Sequence, residues 1–437
     1  MTPLSPAERR VLLGLVLDPS RLTCDETSDA GIRWTDLGAV AARHGVAPLV
    51  YRGLRELGGD EALADAAVRL RDRCRDAYVR NVARNARIFA ELARVLGPLR
   101  RAGIPVILLK GVAVTAAFFG DIGLRHMRDI DLLVPVDARA RALALLEGLG
   151  YRLGAGAPAD LRARGRRAGL LPAGATPLSR ELTGRLYERY HFHYYLERDQ
   201  QPFPLELHWH IVKAGRGVRI EDLWHEARPA RIGDVEALCL RPEHALLHFA
   251  LHQSQDDYGE LRLARLVDLH LAVTRQALDA PYLLRSAERH RASRELGVAL
   301  DLARRVLGTP VPPALQGLLG RFDGALVARL ARQWIAELGP QVSDREPVRQ
   351  VLAWTVLRRD RWRSVPAYLY RRLAAYPESN PRLPARYRGS ELMNLLYALH
   401  PSRIASLIGG SRVRGARGAA SAGATKAAYP AEVTRST

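Results

Sequence analysis

Two aspartates one residue apart open an apolar run in Arg128-Asp129-Ile130-Asp131-Leu132-Leu133-Val134. This segment constrains the fold more than any other. Side chains at i and i+2 of a strand project to the same face. Asp129 and Asp131 therefore converge on one side, while Ile130 and Leu132 need burial on the other. A strand of this kind requires a sheet around it and a cover over its apolar face. The run 104–109, Ile-Pro-Val-Ile-Leu-Leu, is a second short strand, ended by Lys110-Gly111.

At 437 residues the chain exceeds one typical domain, and two or three are expected. Its 48% hydrophobic content suits a substantial core. There is no uncharged apolar run of about 18 residues, so no membrane span is expected. The N-terminal apolar patch is short, lacks a small-residue cleavage site and reads as an amphipathic helix. Cys24, Cys74 and Cys239 are far apart and odd in number, which argues against a disulfide framework or a zinc site. A reducing cytoplasm is the expected compartment.

The net charge of +20 raises nucleic acid as a partner. However, of 66 lysines and arginines only Lys110, Lys213 and Lys426 are lysine, and the arginine excess is spread along the chain. That pattern fits a GC-rich genome and a broad attraction for phosphates, so nucleic acid is not the favoured partner. It also gives weight to Lys110, a lysine kept inside an apolar segment where arginine is the rule.

Residues 1–100 carry apolar positions at helical spacing, and 68–98 read as one long helix or two. The pattern changes at Gly103. Strand 104–109 leads into a helix at 112–119, a loop follows, and 130–134 form a second strand. Asp137 is placed to cap a helix over 138–149, with Gly150 after it. Residues 154–186 are rich in Gly, Ala, Pro and Arg and are expected to form a mobile basic loop. Strands at 191–197 and 203–212 follow, joined by a hairpin turn at 198–202. Helices are expected from about 234 onward: Pro242 starts one, 261–275, 280–307 and 315–338 give more, and 345–376 holds another stretch. The tail 409–437 lacks core formers and is expected to be disordered. The fold class is α+β, with a small mixed sheet at 101–233 between a helical region at 1–100 and another at 234–408.

Carboxylate oxygens suit Mg²⁺ or Mn²⁺, often shared with a substrate phosphate. Nucleotidyl transfer holds an attacking oxygen, an α-phosphate and a leaving pyrophosphate in line, and two metals about 3.5–4 Å apart can stabilise both oxygens. Asp129 and Asp131 supply two carboxylates. Glu206 is the third, because it shares a strand face with His208 and His210, opposite Leu205, Leu207 and Trp209. These three are the candidate catalytic and metal-holding residues. Lys110, Gly111, Arg125 and Arg128 are the candidate nucleotide-binding residues, with Gly111 able to bring backbone N–H groups to phosphate. Salt bridges from Arg125 and Arg128 to the aspartates are the competing reading. His208 is placed to orient Glu206 or a metal-bound water.

Together, the strand-Lys-Gly element, the Arg-x-x-Arg-Asp-Ile-Asp-Leu-Leu-Val segment and the later Glu-Leu-His-Trp strand resemble the uncharacterised nucleotidyltransferase family of bacteria. That family lies within the polymerase-β-like nucleotidyltransferase superfamily. The resemblance runs from about residue 34 to 271 and includes Ala41–Leu49 and the region of His248, His252 and Asp268. It implies a small mixed sheet with flanking helices, an NTP substrate and two Mg²⁺ ions, and it leaves the acceptor, a small molecule or peptide, open. The superfamily usually has Gly-Gly or Gly-Ser where this chain has Lys110-Gly111.

His244, His248 and His252 recur every four residues on one expected helix. Packing against the sheet is the first reading, a substrate-facing wall the second and a metal site the third. Two rival functions stand beside transfer. One is a nucleotide-binding partner in a biosynthetic complex that has lost turnover. The other is an RNA-directed transferase or RNA binder, motivated by the charge.

Overall fold

The computed structural model describes residues 3–28, 31–58, 63–153, 192–212, 217–232, 235–255 and 262–319, together with 321, 328 and 331. The expectations for the loop at 154–186, the helical stretch at 345–376 and the tail at 409–437 lie outside these residues.

The N-terminal helices are α1 (Pro6–Leu17), α2 (Cys24–Ser28), α3 (Trp34–Arg43), α4 (Ala47–Glu56) and α5 (Asp65–Arg101). A capping box starts α1: the Ser5 hydroxyl accepts from the Glu8 N–H at 3.1 Å, and the Ser5 N–H donates to the Glu8 carboxylate at 2.6 Å. Helix α5 is the long helix expected at 68–98. Its later turns bring Ile88, Leu92, Val95 and Leu99 onto the sheet. Gly103, at φ +67°, lets the chain turn from α5 toward the first strand.

The strands are β1 (Ile107–Leu108), β2 (Ile130–Leu133), β3 (Tyr151–Leu153), β4 (His193–Arg198), β5 (Leu205–His208), β6 (Arg228–Ile232) and β7 (Val235–Cys239). They form one seven-stranded mixed sheet in the order β3-β4-β5-β2-β1-β7-β6. Strand β2 runs parallel to β5 and antiparallel to β1, and β1 runs parallel to β7. Helix α6 (Lys110–Val114) leaves β1 and continues as a π turn through Thr115–Phe119, while α7 (Arg139–Gly148) leaves β2. The cap expected from Asp137 is not made: the N-cap is Ala138, without a side-chain hydrogen bond.

The β6–β7 hairpin was not expected from the sequence, which reads as returning to helix at about 234. Arg228, Pro229 and Arg231 interrupt apolar alternation, and β6 lies at the sheet edge, where proline is tolerated. The remaining helices are α8 (Ile220–His225), α9 (Pro242–Gln255), α10 (Leu263–Thr274), α11 (Ala280–Arg289), α12 (Ser293–Leu307) and α13 (Pro313–Leu319). The single helix expected at 280–307 is broken between α11 and α12, where Arg291 takes φ +52°.

The fold is α+β, with helices on the N-terminal and C-terminal sides of the sheet. Two cores share the sheet. Ile130, Leu132, Leu205, Leu207, Tyr194 and Leu196 pack with α5 and α7 on one face. Ile107, Leu109 and Leu133 point the other way, into a core built by the N-terminal and C-terminal helices. The polar residues of β2 and β5 project toward this second face.

Candidate active site

Asp131 of β2 and Glu206 of β5 are neighbours across a parallel strand pair, and Leu133 and His208, two positions on, are the next pair on the same face. Asp129 stands just before β2, where the Ile130 N–H donates to the Pro204 carbonyl at 3.1 Å. Carboxylate oxygens of Asp129, Asp131 and Glu206 all lie within 4.8 Å of one another. The three carboxylates named from the sequence form one cluster.

Lys110 reaches into it. Its Nζ lies 2.8 Å from Asp131 Oδ1 and 3.8 Å from Glu206 Oε2. The backbone there takes φ +38°, a left-handed value uncommon outside glycine. The Leu109 N–H donates to the Asp131 carbonyl at 3.1 Å and pins this turn to β2. From the sequence, Lys110 was directed at a triphosphate; in the fold its ammonium rests on the carboxylates. A Cβ on Gly111 would meet Arg125 and Met127 at 3.4 and 3.5 Å, which are ordinary contacts, so the unusual backbone belongs to Lys110.

His208 is completely buried, and its Nε2 lies 3.0 Å from Asp131 Oδ1 and 3.1 Å from Glu206 Oε2. It therefore orients both carboxylates. Burial disfavours its imidazolium, but the hydrogen bonds to Asp131 and Glu206 prevail and raise its pKa. Burial also works against ionised Glu206, yet His208 and Lys110 hold that carboxyl down at about 2. Asp131 is likewise lowered, with Lys110 and His208 overcoming burial. Asp129 goes the other way: burial and then the Asp131 charge push it up to about 7. Burial opposes the Lys110 ammonium as well, but Asp131, Glu206 and Asp129 more than offset it and raise its pKa.

Arg125 makes a two-pronged ion pair with Asp268 of α10, at 2.9 and 2.7 Å, instead of pairing with either aspartate of the cluster. Its loop is hung from α5: Asn85 Nδ2 donates to the Arg125 carbonyl at 2.8 Å, and Asn81 Nδ2 donates to the Gly123 carbonyl at 3.1 Å. Arg128 is exposed and enters none of the described ion pairs. The sequence reading missed this scaffold. Its signal was two asparagines four residues apart on one face of α5.

His193 was also missed. It lies directly across from His208 on β4, and with Glu206 and His208 it forms a second group whose ligand atoms are within 4.8 Å. The three histidines of α9 divide. His244 Nε2 contacts the Tyr282 hydroxyl at 3.1 Å, and its ring packs edge-on against His290. His248 faces the cluster: burial, then Lys110 and His208, push its pKa down to about 3. His252 is lowered by burial and then by Lys110. One histidine serves packing, and the other two border the site.

The cluster has the donor set for a divalent cation. Three carboxylates face one ammonium, and Asp131 Oδ2 is buried without a hydrogen-bond partner. Hard oxygen ligands of this kind suit Mg²⁺ or Mn²⁺.

The sequence pattern of one family, described as uncharacterised nucleotidyltransferase, matches residues 30–308. That span contains every residue of the cluster. No curated protein matches the chain.

Two measurements follow from the electrostatics. Lys110→Met leaves Asp131 and Glu206 without their ammonium. It is expected to destabilise the metal-free protein by about 3–5 kcal/mol, with partial recovery on adding Mn²⁺. Urea denaturation in EDTA checks this, and a loss below about 1 kcal/mol would remove the ammonium's structural role. Asp129 has a raised folded pKa, so the native state binds more protons than the unfolded chain between pH 4 and 7. Its contribution to stability therefore falls as pH rises through that window. The stability gain of Asp129→Asn over wild type should grow from pH 4 to 7 and then level. A gain that does not vary with pH would contradict the assignment.

Proposed function

The chain belongs to the uncharacterised nucleotidyltransferase family, and from that premise we propose that it moves NMP from an NTP to a small-molecule or peptide acceptor with a divalent metal ion. The observation that carries this reading is the convergence of the Asp129, Asp131 and Glu206 carboxylates, with one Asp131 oxygen buried and without a hydrogen-bond partner.

Asp129, Asp131 and Glu206 would hold Mg²⁺ or Mn²⁺. When bound, the metal supplies charge stabilisation at the α-phosphate and the leaving pyrophosphate. The acceptor oxygen bonds to the α-phosphorus as the bond from that phosphorus to the pyrophosphate oxygen breaks, and pyrophosphate leaves with the electron pair. Where the attacking oxygen is a hydroxyl, its proton passes to a carboxylate of the trio; an ionised acid attacks without losing one. His208 fixes Asp131 and Glu206 in orientation, and Lys110 keeps both ionised. Arg128 and the Gly111 N–H are the groups assigned to the triphosphate, while Arg125 braces the loop that carries Arg128 against Asp268. The helices at 1–100 and beyond 234 wall the cleft around the 101–233 core. Among the described residues, no helix is long and apolar enough to cross a membrane. We place the reaction in the cytoplasm.

Thermal-shift titration with ATP, GTP, CTP and UTP, with and without Mg²⁺ or Mn²⁺, tests the reading. At least one NTP should raise Tm only with metal. At 100-fold excess over Kd the stabilisation is about 2.7 kcal/mol. An Asp129→Asn/Asp131→Asn variant should lose the effect. No rise with any nucleotide would count against transfer and favour a partner protein without turnover.

A further inference from the structure

Beside the carboxylate cluster lies a cavity of about 310 Å³ between α6, the β6–β7 hairpin and α9. It sits at the small end of the range for ligand pockets, about 300–1,000 Å³. Leu108, Ala113, Phe118, Ile232 and Phe249 make its wall largely apolar. Two further wall residues, Lys110 and His248, also belong to the surroundings of the cluster. The Lys110 ammonium ends on Asp131, and the His248 imidazole feels Lys110, His208 and Asp131. The cavity therefore adjoins the reacting groups.

Charge narrows what fits there. The wall contains Lys110, Arg228, Arg231 and His248 and, among the described lining residues, no carboxylate. His248 is buried, and its Nδ1 has no hydrogen-bond partner. A buried imidazole nitrogen without a protein partner can make a hydrogen bond to a ligand. A nucleobase fits this wall poorly, because its several donors and acceptors would be buried against mostly apolar side chains. An apolar body with one anionic group fits it well: the body fills the cavity, and the anion lies toward the basic side chains.

We propose that this cavity binds the acceptor, and that the acceptor is an apolar acid, a ring or short hydrocarbon chain carrying a carboxylate or other anionic group. The proposal rests on the transferase reading above and names its acceptor class. The hairpin that forms one wall and α9, which forms another, thereby select the substrate.

The test uses 8-anilinonaphthalene-1-sulfonate, an apolar aromatic anion, titrated by fluorescence into the full-length protein. Saturable binding is expected. Ala113→Phe on α6 and Ala245→Phe on α9, both at lining positions, should each weaken it at least about tenfold, or about 1.4 kcal/mol. Mg²⁺–NTP stabilisation retained in either variant shows that it is folded and that the nucleotide site is intact. Decanoate should displace the dye at lower concentration than decyltrimethylammonium. Absent saturable binding, equal binding in both filled variants, or equal displacement by decanoate and the cation, each overturns the proposal. Competitive displacement by NTP also overturns it, because the cavity would then hold the nucleobase. If the dye binds as expected but no NTP stabilises the wild type, the transferase reading fails instead, and the acceptor assignment falls with it.

Discussion

The Lys110 ammonium, 2.8 Å from Asp131, is the interaction on which the rest of the site depends. Three carboxylates buried within a few ångströms repel one another and lose hydration, and neither effect favours ionised, ordered side chains. One buried ammonium and one buried imidazole offset that cost for Asp131 and Glu206. Asp129 receives less relief and is the carboxyl that burial pushes upward. The unusual backbone at Lys110 belongs to the same arrangement, because it is the turn from β1 into α6 that aims the ammonium inward.

The fold serves this cluster through strand order. Placing β2 between β1 and β5 sets Asp131 beside Glu206 on one side and beside the Leu109–Lys110 turn on the other. The apolar alternation of β2 and β5 anchors their far faces against α5 and α7, so a slip of one residue would bury the carboxylates in that core. Helix α5 then acts a second time, holding the loop before β2 through Asn81 and Asn85. The C-terminal helices contribute Asp268 to brace Arg125, and His248 to border the carboxylates.

Much of this was legible in the sequence because it depends on local period. The i, i+2 spacing placed Asp129 and Asp131 on one face, and the alternation around Glu206 and His208 placed them on another strand's polar face. What was not legible depends on long-range partners or on backbone angle. The Arg125–Asp268 pair spans 143 positions, and nothing near Arg125 announces it. The left-handed turn at Lys110 has no residue-type signal, since Gly111 beside it looks like the special residue. The β6–β7 hairpin escaped because its edge strand carries Arg228, Pro229 and Arg231 where alternation would be sought. The helix read from Pro242 to about Gln253 matches α9, but only the packing separates His244, held by Tyr282, from His248, which borders the cluster.

The most direct test is a crystal structure with Mn²⁺ and a non-hydrolysable NTP analogue, using the anomalous signal of manganese to locate the ion. The account predicts an anomalous peak coordinated by Asp129, Asp131 and Glu206, with the triphosphate beside it. A nucleotide bound elsewhere, or Mn²⁺ absent from the carboxylates while Lys110 still occupies them, would contradict it.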